Sequence, residues 1–205
     1  MNTFTRRGEI AGPAGPLSVA VDTTTDVPAR GLAVVCHPHP LQGGTMDNKV
    51  VTTIARALTQ RGWRVVRFNY RGVGASAGAW DEGRGEVDDA LAVIAAHRGA
   101  GEPLVLGGFS FGGYVAASAA AKLSEADRPL RMVLVAPSTA RHDAPPVGAD
   151  TLLIHGEADD VVPLSASLDW ARPQALPVVV VPGAGHFFHG QLMLLKSLVL
   201  RNFAE

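Results

Sequence analysis

The residues best suited to chemistry in this chain lie in Gly108-Phe109-Ser110-Phe111-Gly112. A serine with glycine two residues away on either side fits a strained strand-to-helix turn that leaves its hydroxyl exposed. The glycines are needed where a Cβ would collide with neighbouring backbone. A helix starting behind the serine adds free N–H groups and a positive end. A glycine-rich turn with an incidental serine is the plainer alternative. Context argues against it: an apolar run at 104–106 precedes the motif, and a small-residue, apolar helical stretch at 111–123 follows it.

A serine hydroxyl is a weak nucleophile and needs a base, which an acid must orient. The histidines after the serine are His142, His155, His186 and His189. His186 follows the apolar run Val178–Val181 through Pro182-Gly183-Ala184-Gly185. Such a loop presents a side chain at the C-terminal end of a strand, where sites in open α/β sheets form. His189, a helical turn later, reads as a surface residue. The acid should lie between serine and histidine. His155-Gly156-Glu157-Ala158-Asp159-Asp160 follows the run 151–154, and position alone leaves Asp159, Asp160 and Glu157 nearly equivalent.

Catalysis at a carbonyl also needs donors for the developing oxyanion. The N–H of Phe111 is one. The second should come from His37-Pro38-His39-Pro40-Leu41, after the run Leu32–Cys36. Proline has no N–H, which leaves His39 or Leu41, and His39 is nearer the strand end. Phe109, Phe111, Phe187 and Phe188 flank the motifs and either line an acyl pocket or belong to the core.

These residues need a frame. Six short apolar runs recur: Leu32–Cys36, Arg64–Phe68, 104–106, 132–136, 151–154 and Val178–Val181. They show no alternation, which fits strands buried on both faces. Helical spacing lies between them, with Val50, Val51, Ile54, Ala55 and Leu58 on one face and Val87, Ala90, Leu91, Ile94 and Ala95 on another. The stretch 190–203 repeats the pattern through Leu192, Leu195 and Val199. Strands alternating with helices predict a parallel sheet with crossovers. Residues 5–10 and 17–21, split by Gly12-Pro13-Ala14-Gly15-Pro16, predict an antiparallel hairpin at one edge.

Composition narrows the function classes. A chain of 205 residues with no linker, repeat or low-complexity segment reads as a single domain over 1–205. Glycine (23) and proline (14) are too abundant for a helical bundle. A net charge of −1 without a basic run gives no basis for a nucleic-acid or anionic-membrane partner. No apolar stretch approaches the roughly 18 residues of a membrane span. One cysteine, Cys36, excludes an intrachain disulfide. With no leader-like apolar stretch at the N-terminus, the expectation is a cytoplasmic protein. Cys36 ends a buried strand and reads as a small hydrophobe. The histidines lack a third ligand at metal-binding spacing, so no metal is expected. Gly72-Val73-Gly74 is too short for a dinucleotide fingerprint, and no cofactor is expected.

With the elbow, the order Ser110, Asp159, His186, the turn Arg71-Gly72-Val73-Gly74-Ala75-Ser76 and the His155–Asp159 acid segment, the chain resembles the α/β-hydrolases over nearly its whole length. The segment Cys36-His37-Pro38-His39-Pro40-Leu41-Gln42-Gly43-Gly44-Thr45-Met46 is similar to that of a subgroup of small bacterial hydrolases, mostly uncharacterised or called carboxylesterases. The resemblance implies an α/β fold with a mostly parallel eight-stranded sheet, the N-terminal hairpin at its edge, helices on both faces and Ser110 near the centre. It selects Asp159 as the acid. It implies a serine hydrolase of small carboxylic esters, acting as monomer or homodimer, with thioester or amide cleavage as alternatives on the same triad. A non-catalytic binding protein on the same fold is the alternative from another class. Many relatives insert a cap after the sixth strand. Only residues 137–150 stand there in this chain, with Pro137, Pro145 and Pro146 against a helix. An open, shallow pocket with no cap is expected, bounded by Leu41, Phe111 and Phe187, with Phe109 beside it.

Overall fold

The computed structural model describes residues 3–24 and 28–204. The hairpin is longer than its sequence signal. β1 (Thr3–Gly12) and β2 (Gly15–Thr24) pair antiparallel down to Gly12 opposite Gly15, leaving Pro13-Ala14 as the turn. The apolar runs become β3 (Leu32–Cys36), β4 (Arg64–Phe68), β5 (Leu104–Phe109), β6 (Arg131–Val135), β7 (Thr151–Gly156) and β8 (Val178–Val181). The eight strands form one sheet in the order β1-β2-β4-β3-β5-β6-β7-β8. β2 meets β4 antiparallel, and every pairing from β4 to β8 is parallel.

The missing alternation in the strand sequences has a simple cause. On β3, β4 and β5, Val34, Val66, Leu104 and Leu106 join one core with α2 (Arg84–His97) and α3 (Phe111–Lys122). Their neighbours Ala33, Val35, Val65 and Val105 join a second core with α1 (Lys49–Gln60) and α5 (Leu192–Asn202). Both faces are covered, so most positions are apolar, with Arg67 on β4 and His155 on β7 as buried polar exceptions. Small residues of α3, Ala116 and Ala119 among them, let that helix lie close on the central strands.

One helix gave no sequence signal. α4 (Leu164–Ala171) spans eight residues after Pro163, and only Ser167 and Ala171 on it are buried. Its apolar repeat, Leu164, Leu168 and Ala171, covers only two turns and is too short to stand out.

The segment after β4 carries Trp80 toward the sheet end where the strands finish, and an ion pair anchors it. Arg71 donates through its backbone N–H to Asp89 Oδ2 at 2.9 Å and through its guanidinium to Oδ1 at 2.8 Å. The Asp89 side chain is fully buried on α2. Glu86, also buried, accepts from the Asp81 and Gly83 N–H groups at 3.0 and 2.8 Å. Asp89→Ala leaves the Arg71 guanidinium without its buried partner, a loss expected to cost about 3 kcal/mol. Urea unfolding of the variant should show a clearly lowered midpoint. A cost under about 1 kcal/mol would place the pair with solvent-exposed bridges instead.

Candidate active site

Three loops reach the same end of the sheet, after β5, β7 and β8. The first is the turn between β5 and α3. Ser110 sits there at φ 56°, a conformation that L-residues rarely adopt. Its N–H donates to Val135 at 3.0 Å, and its carbonyl accepts from Gly113 and Ser138 at 2.9 and 3.0 Å. The flanking glycines answer a need for space. A Cβ on Gly108 would lie 2.1 Å from the Gly112 carbonyl, and one on Gly112 would lie 2.2 Å from the Cys36 carbonyl.

Ser110 Oγ lies 3.0 Å from His186 Nε2, and His186 Nδ1 lies 2.7 Å from Asp159 Oδ2. An ionised carboxylate only accepts, so Nδ1 carries the imidazole proton and Nε2 is free to accept from the hydroxyl. All three residues are buried or nearly so. His189, the rival histidine, is exposed and stands against Phe187. Asp160 is exposed, and Glu157 accepts from the Gly183 N–H at 2.9 Å on the surface. Of the three carboxylates that position left open, Asp159 is the one at the imidazole.

Asp159 is held from several sides. Its Oδ1 accepts from the N–H groups of Val161 and Val162 at 2.9 and 2.8 Å. A second imidazole lies behind it: His155, fully buried, places Nε2 3.4 Å from Asp159 Oδ2 and 2.9 Å from the Val162 carbonyl. That nitrogen is therefore the donor, and His155 Nδ1, 2.8 Å from Ser167 Oγ, accepts from the hydroxyl. Burial alone would raise the Asp159 carboxyl. The hydrogen bonds from His155, His186 and Val162 outweigh burial and hold it well below the usual carboxylate range. In the sequence His155 is only a candidate base; it sits near the end of β7, and the turn that follows brings Asp159, four residues on, back against its ring.

The loop after β3 supplies the other wall. His37 is fully buried, with Nδ1 2.7 Å from the Pro38 carbonyl and Nε2 accepting from the Tyr70 N–H at 3.2 Å. Burial lowers its pKa to about 3, so the ring is a neutral clamp on the loop. Gly44 is required beneath, since a Cβ there would lie 2.0 Å from the Pro38 carbonyl. Among the described residues, the N–H groups of His39, Leu41 and Phe111 donate to no protein acceptor. The His39 ring packs on Trp80 and Phe111, with centroids 4.6 and 5.2 Å away. Burial pushes the neighbouring Cys36 thiol up to about 12, so it is unreactive in this state.

A cavity of about 170 Å³ adjoins Ser110, lined by His39, Gln42, Phe111, Ser138, Arg141, His142, Val161 and Val162. Its walls differ from the expected ones. Phe111 lines it, but Leu41 does not, and its side chain is 70% exposed. Phe109 is fully buried beneath His186, with centroids 4.8 Å apart, because it is the last inward residue of β5. Phe187 stands outside the cavity, edge-on to the His186 ring at 5.1 Å. The loop 137–150 reaches the cavity with Ser138, Arg141 and His142, although its length and prolines point only to the absence of a cap. A larger cavity, about 450 Å³, lies at the far ends of β6 and β7 and contains neither histidine nor cysteine. No group of three His, Cys, Asp or Glu side chains placed to hold a metal ion occurs among the described residues. None of the helices is long and apolar enough to cross a membrane among those residues.

The architecture, with a serine elbow after its central strand and no cap over it, is that of an α/β-hydrolase without a lid. The chain matches the family described as Serine aminopeptidase, S33 over residues 28–149 and belongs to it. It is 42% identical to a lidless α/β serine hydrolase of Xanthomonas campestris, which it matches over all of its own length and 95% of that chain with a TM-score of 0.89. An α/β serine hydrolase homologue from Coxiella burnetii is 39% identical, with 96% of each chain covered and a TM-score of 0.85. An uncharacterised protein of Rickettsia prowazekii is 31% identical over 86% of this chain and 79% of its own length.

The depressed carboxyl of Asp159 has a consequence for stability. Its folded pKa lies below the unfolded value of about 3.9, so ionised Asp159 contributes stability that is full above that value. The contribution is lost as pH falls through the folded pKa. Wild-type protein should therefore lose stability on acidification below about pH 5 more steeply than Asp159→Asn. Urea midpoints of both proteins at descending pH measure this, and parallel curves would contradict the assigned depression.

Proposed function

We propose that the chain is a serine hydrolase of small carboxylic esters in which Ser110, His186 and Asp159 act together. The observation that carries this reading is the hydrogen-bonded line from Ser110 through His186 to Asp159, with distances of 3.0 and 2.7 Å, at a serine held at φ 56°. Ser110 Oγ attacks the ester carbonyl while His186 Nε2 takes its proton. Asp159 fixes the imidazole tautomer and stabilises the cation. The N–H groups of Phe111 and His39 hold the oxyanion. Collapse breaks the bond to the alcohol, which leaves with the proton from His186, and an acyl-Ser110 remains. His186 then deprotonates a water that attacks the acyl carbonyl, and the departing Ser110 oxygen recovers a proton.

The family description names an aminopeptidase, which makes amide cleavage the second reading. A peptide N-terminus is an ammonium and calls for a carboxylate in the acyl-side pocket. The cavity beside Ser110 has none and presents Arg141 instead, so esters fit it better. A fluorophosphonate probe followed by mass spectrometry tests the nucleophile directly: modification of Ser110 is expected, and an unmodified chain would favour a binding protein on this fold.

Substitutions separate the assignments. Ser110→Ala and His186→Ala should each lower kcat by several orders of magnitude, because members of such a unit fail together. His189→Ala should change it by less than about tenfold. Asp159→Asn should cost far more than Asp160→Asn. A Ser110→Ala variant retaining more than about a tenth of wild-type kcat would remove Ser110 from the role.

Acyl-chain preference follows from the cavity. At about 170 Å³ it is smaller than the roughly 300–1,000 Å³ of typical ligand sites. Methylenes beyond it stay in water and forgo about 0.8 kcal/mol each. Rates on p-nitrophenyl esters should peak from acetate to butyrate and drop by about tenfold or more at decanoate. A peak at octanoate or longer would show that something else covers the site.

A further inference from the structure

The cavity beside Ser110 has a direction. Ser110 and the oxyanion donors Phe111 and His39 border it, but His186 does not. The leaving alcohol must receive its proton from His186 Nε2, so it departs on the side where Phe187 stands against that ring. The cavity on the other side of the carbonyl is therefore where the acyl chain lies.

That acyl side is cationic. Arg141 lines it, no aspartate or glutamate does, and Arg141 makes no ion pair among the described residues. Burial lowers the imidazoles of His39 and His142, and the Arg141 charge lowers both further, which places the guanidinium within electrostatic reach of the two rings. Those rings form a neutral wall. His142 stacks on Tyr114 at 4.8 Å and meets Ser138 Oγ through Nδ1 at 3.2 Å. Gln42 adds a second donor, an exposed amide with no protein partner among the described residues. A neutral aliphatic acyl chain would use none of these groups. A carboxylate would use them, since a guanidinium pairs with it in a fork and a neighbouring amide completes the acceptor shell.

We propose that Arg141 is a specificity-determining residue that selects acyl chains ending in a carboxylate, so that the preferred substrates are half-esters of short dicarboxylic acids. This rests on the hydrolase reading of Ser110 given above. The alcohol is cleaved off as in any ester, and the released product is the free dicarboxylate. The carboxylate stays with Arg141 throughout and takes no part in bond breaking.

The test compares the monoethyl esters of succinate, glutarate and adipate with their carbamoyl counterparts, which keep length and shape but lose the charge. Ethanol release reports cleavage. Wild-type enzyme should favour the best half-ester over its carbamoyl partner by about tenfold or more in kcat/KM, as expected for a charge-assisted contact. Raising the salt from about 0.05 M to about 1 M should narrow that ratio. Arg141→Glu, checked for an unchanged melting transition, should reverse the preference. Equal ratios in wild type and Arg141→Glu, with cleavage still dependent on Ser110, would overturn the proposal and leave the hydrolase reading intact. Fluorophosphonate labelling of Ser110 without cleavage of any half-ester would overturn it too. Absence of both labelling and cleavage would instead sink the reading on which it rests.

Discussion

Everything at this site depends on one strained residue. Ser110 occupies a backbone region that costs of order 1–3 kcal/mol, and the surrounding fold must hold it there. Three backbone hydrogen bonds, to Val135, Gly113 and Ser138, do so from both sides of the residue. They exist only because β5 lies between β3 and β6 and α3 starts immediately after the turn. The close approach of Gly108 to Gly112 and of Gly112 to Cys36 is the other half of the same constraint. Widening either contact by a methyl group would push α3 from the sheet and carry the Phe111 N–H with it. The parallel centre of the sheet and the small residues of α3 are thus conditions for the geometry of one hydroxyl.

The wall opposite the serine is fixed by a different device. A proline-rich loop has few N–H groups to satisfy, and the ring at its start, His37, is buried, neutral and bonded at both nitrogens. Tyr70 closes the arrangement by donating from its hydroxyl to the His37 carbonyl at 3.1 Å. Through Tyr70 the loop is tied to the segment after β4, where Arg71 and Asp89 set the position of Trp80 against His39. A buried ion pair and a buried imidazole therefore bear on the same loop from two sides. Neither lies in the cavity itself.

The parts of this arrangement legible in the sequence were those with a strong local cause. Strands buried on both faces announce themselves as unbroken apolar runs, and the elbow is marked by a spacing that steric contact enforces. The parts that were not legible depend on contacts between loops. Phe109 looked like a pocket residue because it adjoins Ser110, yet strand pleating turns it inward beneath His186. Leu41 belongs to the same loop as His39 and is expected at the pocket, yet the tight turn at Pro40–Gln42 leaves it exposed to solvent. Arg141, His142 and His155 were visible as residue types. Arg141 and His142 are placed by how the loop after β6 folds back over the sheet end, and His155, on β7, meets Asp159 only because the loop after that strand turns back on it; no spacing encodes either. α4 is hard to read for a different reason, since its apolar repeat of Leu164, Leu168 and Ala171 spans only two turns.

The lack of a lid shapes what such a site can discriminate. Selectivity by burial needs enclosed apolar surface, and a cavity of about 170 Å³ encloses too little for long chains to differ much in binding. A charge acts over a longer distance than a methylene and needs no roof, although salt weakens it within about 10 Å at ordinary ionic strength. The polar lining of the loop 137–150 fits that situation. A cap would shield Arg141 from solvent and strengthen its pull, but would also raise the desolvation cost of every anion that enters. On the proposed reading, a guanidinium left partly open would recruit a carboxylate with its water largely retained. The short loop after β6 leaves little apolar cover and puts an exposed cation, Arg141, beside the serine; on the proposed reading both would favour small, charged acyl groups over long apolar ones.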